Sequence, residues 1–226
     1  MLESELVSMC PELYHMAEDG SWPSIQQHGL LSTSGLLTKW GYTGDRRKKI
    51  ESEHRSKKCS IYCDEYGEVV IRDQIPMPEE SLKACLTDGM TPNEWYRLIN
   101  GKIFLWTTEK SLQIFLAARE YKNNPQLVMK ADTNELLRRH ADQVTLSSIN
   151  SGSTYYDPKR YDRPALRGPR TFKRIKDYNI NYVRELVVEE GIQDISNITI
   201  SVERWVAHRK NYEDPRFEKL EEIFHR

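Results

Sequence analysis

The chain has 226 residues, a formal net charge of −1 from 33 Lys and Arg against 34 Asp and Glu, and 38% hydrophobic with 10% aromatic content. That length and apolar fraction support a single domain over residues 1–226 and exclude a disordered chain. The longest apolar runs, such as 103–106, are too short to span a bilayer, and the first residues lack the basic-then-apolar order of a secretory signal, so no membrane partner and a cytoplasmic location are expected.

Residues 13–16 read as a short strand. Ser21 can cap a helix over 22–28, with Pro23 in its first turn and Gly29 as the left-handed residue after its end. From 32 to 58 periodic apolar positions are few apart from Leu36, Leu37 and Trp40, which predicts a short helix followed by a mobile basic loop. Segments 60–62 and 69–72 suit a small antiparallel pair around Gly67. Residues 78–86 read as a helix with Glu79 and Glu80 at its positive end, and Thr91-Pro92-Asn93-Glu94 is a capping box that opens a helix over 92–99. Asn100-Gly101 turns the chain into a strand at 102–106, and Thr107 or Thr108 caps a helix over 109–121. Residues 127–130 form a strand, Asp132 caps a helix to His140, and 144–147 are extended. Gly152, Pro158, Pro164, Gly168 and Pro169 forbid regular structure across 150–170, and long loops inside domains tend to carry function. Strands follow at 183–188 and 198–202. Asp214-Pro215 is expected to open a closing amphipathic helix with Phe217, Leu220, Ile223 and Phe224 on one face. The tally is an α+β domain without the strand–helix alternation of a doubly wound sheet.

Two basic runs break the neutral balance. One holds Arg46, Arg47, Lys48, Lys49, Arg55, Lys57 and Lys58; the other runs from Lys159 to Lys176 with Asp162 its single acid. Solvated loops explain the first equally well, but the second directly precedes the strand carrying Glu185 and fits a polyanionic partner. The four cysteines agree with free thiols in a reducing compartment. Cys59 and Cys63 with His54 lack the second ligand pair of a structural zinc site, so no metal is expected.

Two distant segments then acquire a joint meaning. Leu13-Tyr14-His15, followed by a short helical stretch and Ile25-Gln26-Gln27-His28-Gly29-Leu30-Leu31-Ser32, resembles the opening motif of DarT-type nucleic-acid ADP-ribosyltransferase toxins, in which an aromatic–His strand leads into a helix ending His-Gly-Leu. The wider ADP-ribosyltransferase fold, including RNA 2′-phosphotransferases, opens in a similar way. Arg184-Glu185-Leu186-Val187-Val188, followed by Ile192, Ile195, Ile198 and Ile200, resembles the catalytic-glutamate strand and the strand after it. The resemblance implies an α+β fold with a split antiparallel sheet core and peripheral helices, NAD as co-substrate, and an enzyme that modifies DNA or RNA. A bacterial toxin or phage-defence setting, with an antitoxin as a further partner, belongs to the same implication.

On that resemblance, Glu185 stabilises the sugar cation or activates the acceptor, and Arg72 meets the NAD phosphates; these are the catalytic pair. His15, Gly29, Ser32, Thr33 and Trp106 would contact NAD, with Trp106 standing where the toxins carry a different motif residue. Asn150, Tyr155, Tyr156, Arg160 and Arg167 would meet the nucleic acid through stacking and phosphate contacts. Each has a plainer reading: a structural His15, a core Trp106, an Arg72 paired with Asp73 or Glu68. NAD hydrolysis, RNA 2′-phosphate removal, and a catalytically silent nucleotide- or partner-binding protein stay open as alternatives.

Overall fold

A computed structural model describes residues 1–159, 161–208 and 215–226. Arg160, expected at the acceptor surface, and Asp214, the expected cap, lie outside the described residues. Helix α1 (Glu3–Met9) leads into β1 (Glu12–Glu18), α2 (Trp22–His28), β2 (Leu30–Leu31), α3 (Thr33–Lys39) and α4 (Gly44–Ser52). The hairpin β3 (Cys59–Cys63) and β4 (Gly67–Ile71) follows, then α5 (Glu79–Lys83), α6 (Pro92–Asn100), β5 (Lys102–Trp106) and α7 (Glu109–Leu116). Next come β6 (Gln126–Asp132), α8 (Thr133–His140), β7 (Val144–Ser147) and β8 (Lys173–Arg174). The chain closes with β9 (Glu185–Glu189), β10 (Gly191–Ile192), α9 (Ile195–Ile198), β11 (Thr199–His208) and β12 (Arg216–His225).

Among the described residues, eight strands form one antiparallel sheet in the order β12-β11-β6-β1-β5-β9-β7-β8. Strand β1 pairs with β6 along its whole length, from Glu12↔Asp132 to Glu18↔Gln126. It meets β5 at one pair, Tyr14↔Trp106. The sheet is therefore two four-strand blocks joined at a single rung. Side-chain alternation sends Leu13 and Ala17 of β1 into the main core with Leu105, Leu127, Met129 and Leu186, while Tyr14 and Met16 pack on the other face against Trp106, Leu112 and Leu116 of a second cluster. Both faces of the centre are covered, and the residues at the split are held from above and below.

Local signals act as the sequence indicates where they are self-contained. Thr91 and Glu94 form the reciprocal capping box of α6, and the Asp132 side chain accepts from the Glu135 amide to start α8. Gly29 closes α2 at φ +84. Ser21 stands at the N-cap of α2 but its hydroxyl donates to the Glu18 carbonyl instead of capping.

Three expectations are overturned. The basic run 46–49 lies on a helix, α4, not in a loop: Arg47 pairs with Glu51 one turn on and Arg46 stacks over Tyr42 at 4.4 Å. The helix over 109–121 stops at Leu116. The closing helix is a strand: β12 pairs with β11 from Ser201↔His225 to His208↔Arg216, with Phe217 on the Trp205 cluster and Phe224 tilted on Trp22 at 5.4 Å. Register shifts at Val202/Glu203 and Arg204/Trp205 disturb the two-residue alternation there, so the apolar spacing imitates a helix while the free edge of β11 recruits the segment as a strand. Among the described residues no helix is long and apolar enough to cross a membrane.

Candidate active site

The two sequence segments singled out at either end of the chain are hydrogen-bonded to each other. Strands β2 and β10 pair as Leu30↔Ile192 and Leu31↔Gly191, and the Ser32 amide donates to the Glu190 carbonyl at 2.9 Å. A Cβ on Gly29 would lie 2.7 Å from the Gln193 Cα, so the glycine permits that close approach. Ser32 is buried as the N-cap of α3, accepting from the Gly35 amide at 3.0 Å, and Thr33 is the half-buried first residue of that helix. Gly29 and Ser32 thus serve the junction between the segments, and the polar run at 32–34 opens a helix.

At the split, Trp106 is the cross-strand partner of both Tyr14 on β1 and Glu185 on β9. Beside Tyr14, His15 replaces the ladder that β1 and β5 do not make: its Nδ1–H donates to the Phe104 carbonyl at 2.9 Å. Burial drives its pKa down to about 4, with the nearby Arg72 charge acting the same way and the bond to Phe104 opposing. The ring is neutral at physiological pH, and with Nδ1 donating, Nε2 carries a lone pair able to accept a hydroxyl hydrogen.

Arg72 follows β4 and stacks over Tyr121 at 4.4 Å, with Phe115 at 5.9 Å. Among the described residues all three of its guanidinium nitrogens are buried without a hydrogen-bond partner in good geometry, and the cation acts on the Tyr121 hydroxyl beside it. The plain pairing with Asp73 or Glu68 is therefore not made; the Asp73 carboxylate instead accepts the Tyr121 hydroxyl at 3.1 Å. A buried cation without an anion is costly, and its donors suit an anion from outside the chain. Trp106 is 8% exposed and packs on Phe115 at 5.9 Å, with the Arg184 guanidinium 5.8 Å above its ring.

Glu185 is 2% exposed. Among the described residues its carboxylate is held by one, Ser151, whose amide lies 3.2 Å from each oxygen and whose hydroxyl donates to Oε2 at 2.7 Å. Burial lifts the Glu185 pKa to about 7, against the pull of the Ser151 bonds and the Arg184 and Arg167 charges. A buried carboxyl titrating near neutrality under the influence of two arginines is an unusual resource, and such groups concentrate at functional sites.

The loop over 150–170 covers this carboxylate. Arg167, expected to meet nucleic acid, is buried at 2% exposure: its guanidinium donates to Cys85 Sγ and to the Ser153 carbonyl, both at 2.9 Å, and clamps the loop from inside. Tyr155 is 84% exposed, while Asn150 and Tyr156 are half-buried. An open cavity of about 480 Å³ lies against the same loop, lined in part by Ser148, Arg167, Arg170, Thr171 and Lys173. It reaches none of His15, Arg72, Trp106 and Glu185, and the orphaned donors at the split are the better guide to where chemistry could occur.

Ser151 is the site residue that sequence reasoning does not find. A serine in Asn-Ser-Gly-Ser reads as turn material, and its bond to a residue 34 positions on leaves no local trace. Among the described residues no group of three or more His, Cys, Asp and Glu side chains is placed to hold a metal ion.

The model of a family of unknown function, DUF7002, matches residues 11–201. The chain belongs to the DUF7002 family. The matched span runs from the start of β1 into β11, so it contains the split, the cover loop and every candidate site residue, and leaves β12 outside. A comparison with curated proteins finds no match.

Proposed function

We propose that this DUF7002 protein is an NAD-dependent ADP-ribosyltransferase that modifies a nucleic acid. The observation that carries the reading is the line of cross-strand partners Tyr14, Trp106 and Glu185 at the rung joining the two halves of the sheet, with His15 beside Tyr14 and the buried Arg72 charge acting on His15. The fit of NAD rests on that guanidinium: three orphaned donors match the oxygens of a pyrophosphate. Neutral His15 offers Nε2 to a ribose hydroxyl, and Trp106 lends its ring edge.

Breaking the nicotinamide–ribose bond sends the bonding pair out with nicotinamide and leaves a cation on the sugar, as in glycoside cleavage. The Glu185 carboxylate stabilises that charge, an effect of about 10²–10³ in rate for comparable preorganised groups. When the acceptor nucleophile attacks the sugar carbon, Glu185 takes its proton, and a pKa near 7 matches that task. The exposed Tyr155 and the cations Lys159, Arg163 and Arg170, the last shared with Asp88, give the cover loop a surface for stacking and phosphate contact.

A binding protein without catalysis is the second reading, favoured by the enclosure of Glu185 beneath Ser151. Incubation of purified protein with labelled NAD and DNA, RNA or cell lysate separates the two. Label on nucleic acid with wild type and not with Glu185→Gln is the expected result. Free nicotinamide without transfer would turn the reading to hydrolysis. Intact NAD under every condition, with a folded protein, would overturn it in favour of binding.

A further inference from the structure

We infer that Ser151 is a positioning residue for Glu185: it orients the carboxylate from within the acceptor-facing loop and ties that loop to the reacting centre. The inference rests on the reading of Glu185 as the catalytic carboxylate. Ser151 is fully buried, and among the described residues every hydrogen bond to the Glu185 carboxylate comes from it. Its hydroxyl occupies Oε2, which leaves Oε1 with only the shared amide and makes Oε1 the oxygen free to take the acceptor's proton.

The place of Ser151 is set by the loop rather than by β9. Three residues on, Thr154 donates its amide and its hydroxyl to the Pro76 carbonyl at 2.9 and 3.2 Å. Arg167 clamps the far limb, donating from its guanidinium to Ser153 and Cys85 and from its amide to the Cys85 carbonyl, while the Thr87 amide returns a bond to the Arg167 carbonyl. Tyr155, next to Thr154, projects outward at 84% exposure. A short, clamped run of chain therefore carries an exposed aromatic at one end and the holder of Glu185 at the other.

The test is the titration of the Glu185 carboxyl, followed by carbon NMR on protein labelled at the glutamate carboxyls, with Glu185→Gln identifying the signal. Ser151→Ala removes the hydroxyl and keeps the amide, and should raise the Glu185 midpoint by about one pH unit. Thr154→Val removes only the hydroxyl bond to Pro76 and keeps the amide bond that seats the loop, so it should lower the melting temperature and leave the midpoint in place. Where NAD is cleaved, the limb of the kcat profile that reports Glu185 should move up with Ser151→Ala by the same amount while KM for NAD holds. An unmoved midpoint in Ser151→Ala, or an equal shift in Thr154→Val, overturns the inference. A midpoint that moves in a protein that cleaves no NAD keeps Ser151 as the holder of Glu185 and overturns the catalytic reading alone.

Discussion

Replacing Glu185 with Gln removes a titrating group from the buried face of β9, and the effect on folding stability depends on pH with a sign that follows from the site. Burial raises the Glu185 pKa from 4.5 to about 7. The folded protein then holds this proton more tightly than the unfolded chain, so the wild type loses stability as pH climbs through that window. At about 1.4 kcal/mol per unit the full window is worth about 3 kcal/mol. His15 works in the opposite sense: lowered from 6.5 to about 4, it binds its proton more weakly when folded, and the stability it contributes is lost as pH falls through its own window. Over their common range the two nearly cancel. Glu185→Gln should uncover the His15 slope, so that the variant gains on wild type by about 3 kcal/mol between about pH 4.5 and 7, roughly 6–12 °C in melting temperature for a chain of this size. Urea unfolding of both proteins at half-unit steps from about pH 4 to 8 measures the difference, and carboxylates elsewhere drop out because both share them. Parallel stability curves across that range would refute the buried, raised carboxyl and the chemistry built on it.

Arg72→Met removes a buried cation that makes no ion pair among the described residues and keeps an apolar stem against Tyr121; folding stability should hold within about 1 kcal/mol or rise, while calorimetry should show NAD affinity down at least about ten-fold. A loss of 3–5 kcal/mol in stability, roughly the cost of breaking a buried pair, would mean the guanidinium is structural. Gly29→Ala places a Cβ 2.7 Å from the Gln193 Cα at a φ of +84 and should cost at least about 2 kcal/mol by urea unfolding, whereas Gly20→Ala, with φ +78 and open space around it, should cost about 1 kcal/mol. Tyr155→Ala should leave stability within about 0.5 kcal/mol and weaken binding to single-stranded DNA or RNA roughly ten-fold in a gel-shift titration.

What could be read in advance divides by range. The caps at Thr91–Glu94 and Asp132 and the glycine after α2 act over three or four residues, and the sequence carries them whole. Strands β1, β5 and β9 were visible as short apolar runs between polar turns. Helix α4 was not: its polar sequence leaves only Ile50 as a large apolar anchor, and it is held by the Arg47–Glu51 pair and by Arg97 of α6 reaching Ser52. Strand β12 depended on an edge that exists only once β11 is in the sheet. At the site, His15 and Glu185 could be nominated by pattern, yet the single rung between β1 and β5 and the grip of Ser151 are facts of assembly. Arg167 shows the converse: a loop arginine among cations reads as surface, and here it is an internal clamp.

The pairing of β2 with β10 has a bearing on synthesis. Strand β2 is made long before the strand it pairs with: Leu30 and Leu31 wait for Gly191 and Ile192, and Trp106 stands without Glu185 until β9 has emerged. Contacts this distant are slow to form and cannot form at all on a truncated chain. An unfinished or prematurely released product therefore lacks one wall of the site entirely. On the proposed reading, a cell that NAD cleavage would harm is spared while the chain is being made, because the site does not assemble until β9 reaches β5.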